Sequence, residues 1–177
     1  MNAMETESAL AFGLAAAGVP LIALPDARGP ASWPEPSALA AALLGRDDPL
    51  FAAAVVPLLV FNPAAAAGAP GAARALSGSR KRAFEHLYTA AAAMRARWRT
   101  RLVRVGATHE IPDVYSGGLG LPPAGEGFGD ACLEALADRF AGGDGGVVIR
   151  GARSMFDHLM RQAFEIAERE AAVAPAG

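Results

Sequence analysis

Residues 79–106, SRKRAFEHLYTAAAAMRARWRTRLVRVG, decide the fold. Phe84, Leu87, Tyr88, Ala91, Met94, Trp98, Leu102 and Val105 recur at steps of three and four, which at about 100° per residue keeps them within roughly a third of a helix circumference. That spacing predicts one long amphipathic helix with the rest of the chain arranged around it. Eight of the sixteen Lys and Arg lie between Arg80 and Arg104, against the single acid Glu85. On one flank Arg97, Arg101 and Arg104 stand at i, i+4 and i+7, following Arg82 and His86. Three guanidiniums in a row can hold phosphates or carboxylates bidentately. Arginines beside an apolar stripe also lay their stems along it and pair with acids of neighbouring helices, here Asp130, Glu134 and Asp138. The stretch alone supports both uses.

Composition bounds the rest. A chain of 177 residues, 53% apolar and dominated by alanine, predicts a single helical domain over residues 1–177, with β-branched and aromatic residues too scarce for sheets. A lone Cys132 excludes an intrachain disulfide and fits a reducing, cytoplasmic setting. The apolar run from Ala9 to Leu24 is read as neither signal nor membrane anchor. Glu5 and Glu7 precede it where a secretory segment carries basic residues, and Gly13, Gly18 and Pro20 interrupt it.

About six helices follow in order. Thr6 or Ser8 caps a first helix reaching about Gly18, and residues 19–24 form a short extended piece. Gly29 with Pro30, Pro34 and Pro36 makes a loop that Trp33 pins to the body. Ser37 caps a helix over 38–45. Asp47 or Asp48, followed by Pro49, starts a third helix, apolar on nearly every side and therefore central, bent at Pro57 and ended by Asn62-Pro63. This pair of helices around an Asp-Pro turn resembles one unit of HEAT-type repeats, yet no second copy follows, so no solenoid is expected. Residues 64–78 read as a loop leading to a short helix over 72–76. After the long helix, the Gly/Pro-rich segment 107–128 is expected to be irregular. Helices over 129–141 and 152–173 complete the chain, with a minimal strand or an extended link at 147–149.

No motif fixes a chemistry. His86, His109 and His158 lie on different elements without a zinc spacing, so no metal and no cofactor is expected. The glycine runs lack a following Gly-Lys-Ser/Thr, and no GxSxG marks Ser116 as a nucleophile. The spacing from Arg153 to His158 resembles the Arg-x4-His motif of HEPN-domain ribonucleases. That resemblance implies metal-independent RNA cleavage by paired chains, His158 assisting proton transfer and Arg153 stabilising charge on the phosphorane. An arginine with a histidine four to six residues after it recurs at Arg80 to His86 and Arg104 to His109.

A second resemblance runs through Asp48-Pro49, Val56-Pro57-Leu58-Leu59, Asn62-Pro63, Leu87-Tyr88-Thr89-Ala90-Ala91, Trp98 with Arg101-Leu102, and Ile111-Pro112-Asp113-Val114-Tyr115-Ser116. These motifs resemble a group of prokaryotic helical proteins that accompany nucleotidyltransferase-like proteins, which implies a partner-binding subunit and supplies no catalytic residue. The sequence therefore predicts a non-catalytic helical protein that binds a protein partner through Arg97, Arg101 and Arg104 together with Asp113, Tyr115 and Ser116 of the 109–122 loop. Ile111, Val114 and Leu119 pinning that loop to the core is the competing reading. Nucleic acid is the second candidate partner, against which the net charge of −2 argues, and a homodimer the third.

Overall fold

The computed structural model describes residues 7–22, 36–46 and 48–173. The elements are α1 (Glu7–Ala16), α2 (Pro36–Leu43), α3 (Pro49–Phe61), α4 (Pro63–Ala75), α5 (Gly78–Arg97), α6 (Arg99–Arg104), the single turn α7 (Ser116–Leu119), a 3₁₀ turn (Glu126–Gly129), α8 (Asp130–Gly142) and α9 (Ala152–Val173). The architecture is all-α, with no strand among the described residues. Thr6, the Trp33 loop and Asp47 lie outside them.

α3 is the centre. The Asp48 carboxylate accepts from the Leu50 amide at 2.8 Å and Pro49 occupies the first turn, so the helix starts where expected. Every residue from Phe51 to Val60 is buried. Side chains such as Val55, Leu58 and Leu59 contribute about 1.5–3 kcal/mol each on leaving water, offset by the entropy of ordering them. α5 and α9 pack on α3, α2 packs on α4, and α8 bridges α5 and α9. The helix continues through Pro57, which has no N–H to give the Ala53 carbonyl.

Asn62 does more than end α3. Its amide N–H donates to Leu58 O, its side-chain oxygen accepts from Ala65 N at 2.9 Å, and its Nδ2 donates to Ala17 O at 3.2 Å. It thereby caps α4, a thirteen-residue helix where the sequence predicts a loop and a short helix over 72–76. Gly68, Pro70 and Gly71 are carried because Ala65, Ala66, Ala69 and Ala73 bury a face of small residues and the helix packs against α2, α3 and α5. Packing outweighs propensity there.

The long helix is two. Trp98 leaves the helical region at φ −101° and ψ 14°, although its N–H still reaches Met94 O at 2.9 Å, and α6 starts anew behind it. Six of the stripe residues are buried, while Trp98 and Val105 are half-buried. Burial also passes well beyond the stripe, taking in His86, Thr89, Ala90, Ala92, Ala93 and Arg95. The middle of α5 is thus an internal helix, possible because its outer face is alanine and neighbours can approach closely.

Other ends follow local rules. α1 closes with Gly18 at φ +80° and the paired bonds Val19 N to Leu14 O and Gly18 N to Ala15 O. Gly143 ends α8 in the same way, with Asp144 N on Arg139 O. Ser37 lies inside α2 instead of ahead of it. Residues 147–149 form no strand; Ile149 is buried and donates its N–H to Phe140 O at 3.2 Å. Cys132 sits in the core, where burial pushes its thiol up to about 11, and serves as a small apolar side chain. Among the described residues no helix is long and apolar enough to cross a membrane.

Candidate functional site

The arginine flank is largely spent inside the protein. Arg97 donates Nη1 to Asp130 Oδ1 and Nε to Asp157 Oδ1, the latter at 3.3 Å. Arg153 donates to the same Asp130 oxygen at 2.6 Å. Arg101 holds Glu168 with two bonds of 2.8 and 3.0 Å and stacks 4.4 Å over the Phe164 ring. These pairs tie α5 and α6 to α8 and α9. Of the acids named from sequence Asp130 takes part, joined by Asp157 and Glu168 from α9. Asp157 is mostly covered. Arg104 stays exposed.

Arg153 and His158 do not converge. Five residues apart on α9, they project about 140° from each other. Arg153 turns toward Asp130, while His158 is exposed.

The other histidines are structural. His109 Nε2 lies 3.0 Å from Leu59 O, tying the start of the irregular segment to α3. His86 is buried, its ring edge-on to Phe140. Its Nδ1 lies 2.8 Å from Arg82 O, so Nδ1 carries the hydrogen and Nε2 is left as a buried acceptor without a partner. Desolvation drives the His86 pKa below its ordinary 6.5, with the Arg82 carbonyl opposing and the Arg139 charge adding to the effect. The unfolded chain therefore takes up a proton that the folded chain resists, and stability falls as pH drops below about 6.5. Thermal melts between about pH 7.5 and pH 5 should show that slope, and His86→Leu should flatten it. Equal slopes in the two proteins would remove His86 as the cause. Among the described residues no group of three or more His, Cys, Asp or Glu side chains could hold a metal ion.

The 107–128 segment is irregular apart from two turns, and Asp113 organises it. Asp113 Oδ1 accepts from Ser116 N at 3.2 Å; Oδ2 accepts from Ser116 Oγ at 2.6 Å and from Ala124 N at 2.7 Å. Burial opposes ionisation of this carboxyl, but the bonds from Ser116 and Ala124 outweigh it and hold the group below the usual range. The clasp winds Ser116–Leu119 into α7, a helical turn that its two glycines do not predict. Tyr115 packs edge-on against Tyr88 at 5.2 Å. Ile111 is buried as expected and Leu119 packs on the core, whereas Val114 is exposed. Asp113, Tyr115 and Ser116 thus fold the segment, and Asp113 also borders the space it leaves.

That space is a groove of about 510 Å³ between α5 and the segment, with Ala92, Ala96 and Ile111 along its floor. Arg95 and Arg99 stand one turn apart on the α5–α6 side, and Phe128 forms the rim. Arg95 is only 8% exposed and donates Nη1 to Ala107 O at 3.0 Å. Phe128 is 75% exposed and has φ +58°, the one non-glycine residue with positive φ among those described. Gly127 and Gly129 on either side are left-handed too, at φ +53° and +77°. On its other side Phe128 borders a cavity of about 330 Å³ shared with Arg97, Trp98 and Asp130.

Sequence reasoning passed over Arg95 and Phe128. The signals were present: at about 100° per residue Arg95 falls inside the apolar arc of its helix, and Phe128 is a large aromatic inside Gly-Glu-Gly-Phe-Gly. No protein-family model matches the chain, and no curated protein or solved structure is significantly similar to it.

Proposed function

We propose that this protein is a non-catalytic, partner-binding helical protein that docks its partner in the groove between α5 and residues 107–128, with Phe128 as the anchor. The observation carrying this reading is Phe128 itself. A left-handed conformation costs an L-residue about 1–2 kcal/mol, and no apolar burial repays it in a side chain that is 75% exposed. Aromatic residues, phenylalanine among them, are enriched in protein interfaces relative to the rest of the surface.

The docking surface differs from the one expected from sequence. Arg97 and Arg101 support the fold through ion pairs, leaving Arg99 as an exposed cation at the groove, while Arg104, also exposed, lies outside its lining. The same pairing weakens the case for a phosphate-binding stripe, and Asp130 engages the arginine of the ribonuclease-like motif. The motif order described above directs the search for a partner to nucleotidyltransferase-like proteins.

Phe128→Gly tests the reading. The variant should fold with unchanged or higher stability, because glycine accepts the left-handed conformation, the gain limited by its greater chain entropy. Affinity for the partner recovered with the wild-type protein should fall by roughly 30-fold, the loss of about 2 kcal/mol typical of an interface anchor. A folded variant that retains its partner undiminished would overturn the proposal.

A further inference from the structure

Arg95, which lines the groove, differs from the other partly covered arginines of α5 to α9. Arg97, Arg101, Arg139 and Arg153 each have a carboxylate oxygen within 3.3 Å. Arg95, more buried than any of them, does not. Its nearest carboxylate is Glu110, 3.9 Å from Nε and beyond hydrogen-bond distance, and the Glu110 side chain is 86% exposed. One guanidinium N–H is used on Ala107 O, out of the five the group carries. A cation taken from water costs several kcal/mol unless an anion compensates it. Desolvation accordingly lowers the Arg95 pKa, with Glu110 opposing only in part.

Glu110 is thus a loose, exposed ion-pair partner, and the surroundings narrow the anion that could replace it at Arg95. Arg99, exposed and one turn along, adds a second cation at the mouth. Glu110 and Asp113 place two negative charges along the groove, equal in number to the two arginines, which disfavours a phosphate dianion more strongly than a singly charged group. A carboxylate matches the planar fork of a guanidinium. Ala92, Ala96, Ile111, Ala124 and the Phe128 ring give the remainder of the space an apolar lining.

We infer that the groove receives the free carboxylate of a peptide chain end with apolar terminal side chains, gripped by Arg95 with Arg99 at the entrance. This specifies the occupant of the docking groove proposed above and rests on that reading. The partner would present its C-terminus, its last side chains lying over the alanine floor against Phe128.

The test uses the purified full chain and three probes: a peptide ending in Leu-Phe with a free carboxylate, the same peptide amidated, and 4-methylpentanoate. The free acid should bind, shifting the NMR signal of the Arg95 Nε–H, and the amide should bind at least about 10-fold more weakly, as expected for loss of a charge-assisted pair. Arg95→Gln should abolish the preference. Should that variant fold poorly, Arg99→Gln, an exposed change, should weaken the acid several-fold and leave the amide unaffected. Acid and amide binding equally well, both lost in Phe128→Gly, would overturn the carboxylate inference while leaving the groove as a docking site. An Arg95 signal unmoved by all three probes would overturn it too, and recovery of the natural partner with the wild type but not with Phe128→Gly would still support the groove. If 4-methylpentanoate binds as tightly as the peptide acid, the ligand is a small organic acid and the chain-end assignment fails.

Discussion

Gly129→Ala is expected to destabilise the protein by about 3 kcal/mol, lowering the melting temperature by roughly 6–12 °C for a chain of this size. Two costs combine. At φ +77° an alanine pays about 1–2 kcal/mol in backbone strain. Its Cβ would also stand 2.5 Å from Ala93 O and 3.0 Å from Ala93 C and Cα. Ala93 is fully buried in the C-terminal part of α5, which packs against the 3₁₀ turn, and its backbone has nowhere to retreat. Overpacking of that kind adds about 1–3 kcal/mol. Gly127→Ala is the control: it is left-handed as well, but nothing lies within 4 Å of the added Cβ, so it should cost only about 1 kcal/mol. Thermal or urea denaturation of both variants separates strain from contact. Equal losses would mean that the close approach of Gly129 to Ala93 contributes nothing. Because this approach sets the direction of residues 127–129, Gly129→Ala should also displace Phe128 and weaken partner binding.

Asp113→Ala should cost about 2 kcal/mol and loosen the groove wall. The substitution strips the carboxylate from three donors, Ser116 N, Ser116 Oγ and Ala124 N, of which the two residues are buried. Leaving a buried donor unmet costs about 1–3 kcal/mol; the total is held to about 2 because Asp113 itself remains open to solvent and water can replace part of what is lost. Amides 116 and 124 should lose protection from hydrogen exchange, and peptide capture should fall with them. The same clasp sets an acid limit. Since the folded carboxyl titrates below its ordinary 3.8, the unfolded chain is protonated first, so this contribution is complete above about pH 4 and disappears as pH falls through the folded value. In Asp113→Asn that part of the pH dependence should vanish. A wild-type-like acid slope in the Asn variant would assign the loss to other carboxylates.

Much of the fold was written locally. Alanine content with few β-branched residues specifies helices. Asp48-Pro49 starts α3, Gly142-Gly143 ends α8, and the apolar period of the last helix gives Ala152–Val173 at both ends. These signals act within one or two turns of chain, so they survive without knowledge of the neighbours. α4 did not, because Gly68, Pro70 and Gly71 oppose a helix locally and packing of the helix against α2, α3 and α5 overrides them.

For the site, the limit is charge and distance. The stretch 79–106 identifies Arg97 and Arg101 as cations on one flank, but their acids, Asp130, Asp157 and Glu168, stand 33, 60 and 67 residues further along. A repeat of arginines reads the same whether it faces solvent or α9. In Asp113 and Ser116 the side-chain chemistry was legible, while their turn toward each other and toward Ala124 was not. Phe128 carries the clearest division. Its glycine neighbours permit a left-handed path, a property of the residues alone, but the contact of Gly129 with the Ala93 carbonyl imposes that path and sets the ring outside the core. Helices and their ends follow from short-range chemistry; which arginine is neutralised, and which aromatic is left over a groove, follows from segments that meet only when the chain has packed.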